Sequence, residues 1–411
     1  MIKFLKTSAA AAAVAGLFGA QVNAGELVIN YDGSDPAPKE AFTMVIEKFE
    51  AANPDITVKW NLFDHEGYKT SIRNFLTADA PDVAAWYAGN RMAPFVEAGL
   101  FDDVSDVWAD NNLYEDMAST APSMTIDDKQ WGVPYTYYQW GIYYRKDIFA
   151  EKGIEVPTNW EEFLAACAKL KADGITPITI GSKYLWTTAG VFDYLNLRTN
   201  GYDVHNDLTA GKIKYTDPRI VKVFEHWAEL VEPGYFIEDH AAYSWQEALA
   251  PMVQGEAAMY VMGNFAVAPL REAGLTDDQL GFMQFPEITP GIPMAEEAPT
   301  DTFHIPANAK NKEDARRFLA FLASAEVQTE VNKVLGQLPA NKNSEVADDP
   351  FITAGFELLS NAAGLAQFYD RDAPAAMAKA GMEGFQEFMI KPERRDEILE
   401  RLDKVQKSVY K

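Results

Sequence analysis

Apolar residues follow two different periods along the chain from residue 25 onward. Short alternating or continuous apolar runs are typical of β-strands, and apolar residues three or four positions apart are typical of amphipathic helices. The pattern predicts strands at Glu26–Tyr31, Ile56–Phe63 and Asp82–Trp86, with helices at Pro38–Ala52 and Tyr68–Thr77. Strands separated by helices of this length indicate parallel βαβ units and therefore an α/β fold.

Polar and aromatic residues follow the predicted strands at their carboxyl ends. In open α/β sheets, ligands bind at that edge, where the loops emerge. The loops carry, in chain order, Asp32, Asp64, His65, Tyr87, Asn90 and Arg91. These residues are candidates for a binding site.

A second series of elements begins after residue 150. The segment PTNWEEFLAACAKLKADG predicts a helix with Thr158 and Glu161 as a capping box and Gly174 as its stop. A strand is predicted at Ile178–Ile180, and Trp186 lies at the start of the next helix.

The remaining third of the chain is mainly helical after one buried strand. Ala257–Met262 is a continuous apolar run, typical of a strand buried on both faces, and Asn264 and Phe265 then open a helix. Pro251 should kink or shorten the helix that begins near Trp245. Helical patterns follow from Lys312 to the end of the chain.

Composition favours a large, compact, exported protein. The 411 residues are 48% hydrophobic, and this length exceeds what one hydrophobic core supports, which predicts two domains or lobes. Lys3 and Lys6 precede the apolar run Ser8–Ala20, which predicts a signal peptide over residues 1–24, cleaved after Ala24. Because Cys167 is the only cysteine, no internal disulfide can form, and its helical spacing predicts a buried thiol.

Charge and motifs exclude several classes of function. The formal net charge of −25 disfavours binding to nucleic acid or anionic lipid. The sequence contains no GxGxxG, GxxxxGK[ST], GxSxG or HExxH motif, and no His stands at a metal-ligand spacing, so we expect neither cofactor nor metal. The adjacent pairs Asp102–Asp103, Glu161–Glu162 and Glu296–Glu297 cannot flank a scissile bond as glycosidase carboxylates do.

Aromatic side chains at predicted strand ends remain as the main candidate chemistry. The stretch VPYTYYQWGIYYRKD, residues 133–147, is rich in Tyr and Trp and poor in aliphatic residues. Trp86, Tyr138, Trp140, Trp186, Trp245 and Phe265 all lie beside short polar residues. Such rings bind the apolar faces of sugars while polar neighbours bind the hydroxyls, although each ring taken singly could equally belong to the core.

Four sequence blocks resemble one family, the extracellular solute-binding proteins of ABC sugar importers related to maltose-binding protein. The blocks are PDVAAWYAGNRMAPFVEAGLFDDVSD, WGVPYTYYQWGIYYRKDIFAEKGIEVPTNWEEFLAACAKLKADGITPITIG, WQEALAPMVQGEAAMYVMGNF and DTFHIPANAKNKEDARRFLAFLASAEVQ, the last followed by QLPANK. They occur in the order found in the family, behind a signal peptide.

The resemblance implies a two-lobed periplasmic-binding-protein fold, each lobe a mainly parallel sheet flanked by helices, joined by three hinge crossings. The first lobe would span 25–136 and 301–340, and the second 137–300 and 341–411. The crossings would fall near residues 135–138, 299–303 and 339–341. The ring-rich stretch would then form the floor of the cleft.

The resemblance also implies a site and a function. The first lobe would contribute Asp32, Asp64, His65, Trp86, Asn90 and Arg91. The second lobe would contribute Trp186, Trp245, Gly263, Asn264, Phe265, Asp370 and Arg371. The crossings would add Tyr138, Gln139 and Asp301. The protein would be a monomeric periplasmic receptor that captures a mono- or oligosaccharide and delivers it to a membrane-embedded ABC permease without inserting into the membrane.

Two alternatives stay open at the level of sequence. The same fold could bind an acidic or sulfonated sugar through His65, Arg91 and Arg371. The chain could instead be a secreted glycoside-cleaving enzyme that uses the same aromatic surface.

Overall fold

The computed structural model describes residues 25–410 of the chain. The predicted signal peptide therefore lies outside the described residues. Within residues 25–410, no helix is long and apolar enough to cross a membrane.

Strands and helices alternate along most of the chain. The strands are β1 (Gly25–Tyr31), β2 (Ile56–Leu62), β3 (Val83–Tyr87), β4 (Thr125–Ile126), β5 (Lys129–Gln130), β6 (Val133–Tyr137), β7 (Trp140–Arg145), β8 (Thr176–Thr179), β9 (Ala257–Gly263), β10 (Leu280–Met283), β11 (Glu296–Glu297), β12 (Thr300–His304) and β13 (Leu365–Ala366).

The helices cover the sheets and form most of the C-terminal part. They are α1 (Pro36–Ala52), α2 (His65–Ala78), α3 (Ala93–Glu97), α4 (Ser105–Asp110), α5 (Leu113–Asp116), α6 (Ala121–Met124), α7 (Lys146–Lys152), α8 (Trp160–Ala172), α9 (Trp186–Asn200), α10 (Tyr202–Thr209), α11 (Pro218–Val231), α12 (Leu249–Gln254), α13 (Val267–Glu272), α14 (Lys312–Ala323), α15 (Ala325–Leu335), α16 (Pro350–Ser360), α17 (Tyr369–Asp372), α18 (Ala375–Ile390) and α19 (Arg395–Val409). Short 3₁₀ turns occur at Gly89–Arg91, His240–Ala242, Asn264–Ala266 and Pro392–Arg394.

Two larger sheets organise the described residues. One has the strand order β2-β1-β3-β12-β6, and the other has the order β10-β7-β9-β8. In the first sheet, β1 runs parallel to β2 and β3, whereas β12 runs antiparallel to β3 and β6. In the second sheet, only β8 and β9 are parallel. Both sheets are therefore mixed, but in each of them all strands except one, β12 in the first sheet and β7 in the second, run in the same direction, so the expectation of mainly parallel sheets is confirmed.

The antiparallel strands are those that lie where the chain passes between the sheets. Parallel neighbours need a crossover connection of a dozen or more residues within one sheet. Strand β6 instead continues after two residues into β7 of the other sheet. The apolar pattern predicted the βαβ units correctly, but it carries no information about a strand that changes sheets.

Each sheet has its own hydrophobic core. The first core is built on residues such as Phe42, Val45 and Phe318, all nearly inaccessible to solvent. The second contains Phe192 and Trp227 and is the larger of the two. We call the part around the five-stranded sheet the first lobe and the part around the four-stranded sheet the second lobe. Cys167 is fully buried in the second core, which confirms the prediction of a buried thiol.

The N-terminal cap of helix α8 lies one residue later in the chain than predicted. The Asn159 side chain, not Thr158, accepts the hydrogen bond from the Glu162 N–H at 3.1 Å. Glu162, not Glu161, reaches back to the Thr158 N–H at 2.9 Å. Asn and Thr are both good caps, and the preceding loop decides which of them is in position.

Of the two outcomes predicted for Pro251, a kink or a shorter helix, the structure has the shorter helix, which spans only Leu249–Gln254. Helix α12 begins at Leu249, so Pro251 lies in the first turn, where a backbone N–H has no intrahelical partner to lose. Trp245 consequently precedes the helix. The residues Asn264–Ala266 form a 3₁₀ turn that leads into α13, rather than the first turn of an α-helix.

Replacing Asn159 with Ala should lower the free energy of unfolding by about 1 kcal/mol, because the first turn of α8 loses its cap. Glu161→Ala is the matched control, since that exposed side chain makes no cap contact. Thermal unfolding of both variants measures the difference. Equal melting temperatures for the two variants would contradict the assignment.

Candidate ligand-binding site

A cavity of about 190 Å³ lies between the two lobes, beside the segments that join them. Most of the predicted site residues line it: Asp32, His65, Trp86, Tyr138, Trp186, Trp245, Phe265, Asp301, Asp370 and Arg371. Residues far apart in sequence and from both lobes thus meet around one space.

One wall of the cavity is aromatic and belongs to the second lobe. The ring centroids of Trp140 and Phe368 are 4.8 Å apart, and those of Trp245 and Phe265 are 5.1 Å apart in an edge-to-face arrangement. Trp186 stands nearly perpendicular to Trp140 at 6.1 Å. Because each ring packs against others of the set, their orientations are fixed before a ligand arrives.

The facing wall, from the first lobe, carries polar side chains beside the rings of Trp86 and Tyr87. Asp32 Oδ2 accepts a hydrogen bond from the Tyr87 hydroxyl at 3.0 Å and lies 3.1 Å from His65 Nδ1. Burial alone would raise the pKa of Asp32, but His65 and Tyr87 outweigh it and lower that pKa below its usual value. Asp32 is therefore an ionised acceptor at neutral pH.

Arg371 connects this polar wall to the hinge side of the cavity. Its guanidinium donates to the Thr300 carbonyl and to Asp301 Oδ1, both at 2.9 Å, and lies 4.5 Å from the centroid of the Tyr87 ring. Burial raises the pKa of Asp301, and Arg371 opposes that shift. At this distance the ion pair satisfies both groups, so we assign them as charged.

Asn90 and Arg91 lie outside the cavity lining and contact the opposite lobe. Arg91 Nη1 is 2.9 Å from Asp370 Oδ2, and Asn90 Nδ2 donates to the Asp372 carbonyl at 2.6 Å. A Cβ at Gly89, whose φ is +64°, would meet the Arg371 carbonyl oxygen at 2.8 Å. The two lobes therefore touch directly, and the structure is in a closed arrangement.

Three more predicted residues have structural contacts instead of a place in the lining. Asp64 caps α2 by accepting from the Gly67 N–H at 2.8 Å. Gln139 is fully buried and donates to the Phe351 carbonyl at 2.9 Å. Asn264 accepts from the Tyr143 hydroxyl at 3.0 Å and donates to the Gly336 carbonyl.

Gly263 acts through its lack of a side chain. A Cβ there would lie 2.4 Å from the Phe265 ring and 2.9 Å from Trp140 Nε1. Because residue 263 has no side chain, the rings of Trp140 and Phe265 can both pack beside it in the cavity wall.

The ring-rich stretch 133–147 divides its side chains between three environments. Tyr135, Tyr138 and Trp140 line the cavity, Tyr137 faces a groove on the other side of the hinge strands, and Tyr143 and Tyr144 are core residues. Tyr135 and Tyr137 would share one face of a regular strand, but the pairing of β6 with β12 shifts its register at Tyr135, so the two rings lie on opposite sides. The burial of Tyr143 and Tyr144 confirms that at least one of them belongs to the core.

Sequence reasoning missed several residues that line the cavity, among them Asp35, Lys69, Gln337 and Phe368. Lys69 was detectable, because it follows His65 by four positions on α2 and therefore shares its face. Phe368 lies two residues before the predicted pair Asp370 and Arg371, but its backbone φ of +127° has no signal in the sequence.

This geometry defines a two-lobed ligand receptor whose binding space closes between the lobes. The chain belongs to the bacterial extracellular solute-binding protein family, whose model matches residues 33–329. The family resemblance and the two-lobed α/β class predicted from the sequence are thereby confirmed.

Individual relatives agree with this family. An uncharacterised ABC transporter extracellular-binding protein of Pyrococcus horikoshii is 29% identical, over 79% of this chain and 74% of its own length. The multiple sugar-binding protein of Streptococcus mutans is 24% identical, over 77% and 76%. Among solved structures, the bacterial solute receptor AcbH is similar with a TM-score of 0.87 and 28% identity, covering 94% of this chain and 100% of AcbH.

A buried cluster of titratable side chains supports the segment that carries Asp370 and Arg371. His205 Nδ1 lies 4.0 Å from Asp193 Oδ1, and Asp193 Oδ2 accepts from the Tyr369 N–H at 2.7 Å. Burial raises the pKa of Asp193 to about 6, and burial with the nearby Asp193 charge raises the pKa of Glu297.

The other two groups of the cluster add to this pattern. His205 Nε2 is 3.9 Å from Asp372 Oδ2. Burial lowers the pKa of His205, but Asp372 and Asp193 outweigh burial and raise it above its usual value. Within the second lobe, Glu296 forms a separate ion pair with Arg198, with 2.6 Å between Glu296 Oε1 and Arg198 Nη2.

Stability should fall as pH rises from about 5 to 8. The unfolded carboxylates titrate near pH 4, so the folded state holds protons on Asp193 and Glu297 that the unfolded state has released, and His205 acts in the same direction. Asp193→Asn should flatten the dependence, because one of the raised titrations disappears while the amide oxygen still accepts from Tyr369. Melting temperatures at both pH values and constant ionic strength test this, and equal slopes for wild type and variant would refute it.

Proposed function

We propose that this protein is a receptor that captures a carbohydrate between its two lobes and delivers it to an ABC import permease. The observation that carries the proposal is the cavity between the lobes, which is lined by aromatic rings together with charged and polar side chains. Aromatic faces suit the C–H faces of a pyranose, and carboxylate and amide groups suit its hydroxyls. Family membership and relatives described as sugar-binding support it.

The ligand is of the size of one sugar ring in the enclosed part of the site. A cavity of about 150 Å³ is enough to hold benzene, and the space here is about 190 Å³. AcbH, a neighbour of this chain, is described as having an exclusive preference for β-D-galactopyranose, a single ring. A longer saccharide would extend beyond the enclosed part.

A neutral saccharide fits the charges better than an acidic or sulfonated one. The basic groups at and around the cavity are already paired: Arg371 with Asp301, His65 with Asp32, Lys69 with Glu66, and Arg91 with Asp370. Asp35 also lines the cavity and has no ion-pair partner among residues 25–410. An anionic ligand would have to break one of these pairs, which is costly in a partly buried site.

The lobes and hinge follow the family pattern in this proposal. The first lobe spans residues 25–136 and 301–340, and the second spans 137–300 and 341–411. The connection between β6 and β7, the segment before β12 and the segment after α15 are the three crossings. Closure is favoured because the ligand contacts both walls only in the shut form, so its differential affinity sets the population.

The working compartment is the periplasm, with residues 1–24 as a signal peptide cleaved after Ala24. The receptor acts as a monomer and meets its permease at the membrane surface without inserting. A secreted glycoside-cleaving enzyme is the alternative of another class, and it differs in one observable respect: a receptor returns its sugar intact.

A thermal-shift screen across neutral mono- and oligosaccharides should identify at least one ligand that raises the melting temperature. A ligand present at 100 times its dissociation constant stabilises the protein by about 2.7 kcal/mol. A uronic acid matched to the best neutral hit should bind at least about tenfold more weakly, since every nearby cation is paired. Chromatography of the recovered sugar should show no cleavage. No stabilisation by any saccharide would refute the proposal, and released products would favour the enzyme.

Trp245→Ala should weaken binding of that sugar by about thirtyfold, because truncating a buried aromatic contact typically costs about 2 kcal/mol. Tyr114→Ala is the control, since Tyr114 is an exposed ring of the first lobe, outside the cavity lining. Isothermal titration calorimetry gives both affinities. Similar affinities for the two variants would remove Trp245 from the site.

A further inference from the structure

The cavity-lining ring Trp186 makes a hydrogen bond across the cleft. Its indole Nε1 donates to Glu66 Oε1 in the first lobe at 3.0 Å. Trp186 is the first residue of α9 and Glu66 is the second residue of α2. Glu66 itself is not among the residues that line the cavity. The carboxylate therefore touches a ligand-facing ring without facing the ligand.

This contact lies on the side of the first lobe away from the hinge. Helix α2 follows β2, the edge strand of the sheet, whereas the hinge strands β12 and β6 are at the opposite side. Three strand spacings separate β2 from β12, or about 14 Å. Rotation of the lobes about the hinge strands must separate Glu66 from Trp186, so the hydrogen bond exists only in the closed form.

Both partners are held in place on their own lobes. Lys69 Nζ lies 3.3 Å from Glu66 Oε2 and 5.8 Å from the centre of the Trp186 ring. On the other lobe, Leu185 has φ +71° and ψ −45°, and the Trp186 N–H bonds to the Tyr184 carbonyl at 2.9 Å. This tight turn is rare and strained for a residue other than glycine, and such strain persists only where the surroundings impose it.

We propose that Glu66 is a positioning residue for ligand binding, which fixes the Trp186 ring and stabilises the closed form without touching the ligand. The inference rests on the proposed receptor function, because it concerns how the same site closes. In the shut cavity, the indole N–H already has a protein acceptor, so it is not available as a donor to the ligand. The contribution is independent of which sugar is bound.

Removing the acceptor should therefore weaken every ligand by the same factor. Glu66→Ala should reduce affinity by about fivefold to tenfold for each saccharide that binds, as expected for loss of a partly exposed hydrogen bond with one charged partner. The ratios between saccharides should not change. Glu66→Gln keeps an acceptor oxygen and should stay within about twofold of wild type. Glu47→Ala, an exposed carboxylate on α1, is the control.

A double-mutant cycle separates this contact from general damage to the site. Trp186→Phe keeps a ring but has no N–H donor, and combining it with Glu66→Ala should cause no loss beyond that of Trp186→Phe alone. Additive losses would overturn the proposal. Changed affinity ratios between sugars would also overturn it. A Glu66→Gln variant that binds as weakly as Glu66→Ala would overturn it as well, because the effect would then come from the carboxylate charge beside Lys69.

A measurement on the indole itself keeps this test independent of the sugar. In ¹⁵N–¹H spectra, the signal missing from Trp186→Phe identifies the Trp186 indole N–H. Glu66→Ala should shift that signal upfield, and Glu47→Ala should leave it in place. If no saccharide binds the wild type but the signal shifts, the contact stands and the receptor function falls. An unmoved signal refutes the contact when it is recorded on the protein saturated with its best saccharide or, if no saccharide binds, on the unliganded protein.

Discussion

The closed cavity depends on one ribbon of backbone that both sheets share. Only two residues separate the end of β6, the edge strand of the first sheet, from the start of β7, an inner strand of the second, so the two sheets must lie close together at this point. Strand β12 returns beside β6 and completes the junction. Tyr135 and Asp301 face the cavity while Tyr137 and Thr300 face the groove behind it, because the register of β6 against β12 shifts at Tyr135. The ribbon is therefore both the hinge and the floor of the site.

Much of the fold could be predicted from local pattern. The βαβ units of the first lobe, the buried strand β9 and the long helices all follow from the spacing of apolar residues, because each of these elements buries one face or both. Strand direction at the hinge could not be predicted, because β6, β7 and β12 satisfy their hydrogen bonds with strands distant in sequence. The start of α8 was displaced by one residue for a similar reason: Thr158 and Asn159 are both competent caps, and only the path of the loop selects one.

The site was predictable in its chemistry and less so in its contacts. Aromatic residues at strand ends and the family resemblance indicated the region in which the cavity lies, and most of the named side chains line that cavity. Two of the exceptions share a physical cause. Asn90 and Arg91 meet the segment of Asp370 and Asp372, about 280 residues later in the chain, when the lobes close. A lone sequence says which groups can form hydrogen bonds, but not whether a ligand or the opposite lobe will be the partner.

Pairing of the charged groups is what makes closure compatible with a mostly neutral, selective cavity. A charge shut away from water without a partner would oppose closure by several kcal/mol. Here Arg371 forms an ion pair with Asp301, and Arg91 of the first lobe forms an ion pair with Asp370 of the second. Most of the charged groups thus reach the closed state already compensated by protein. What remains for the ligand is the face of each ring and the free lone pairs of the carboxylates, which are matched by C–H faces and hydroxyl donors rather than by net charge.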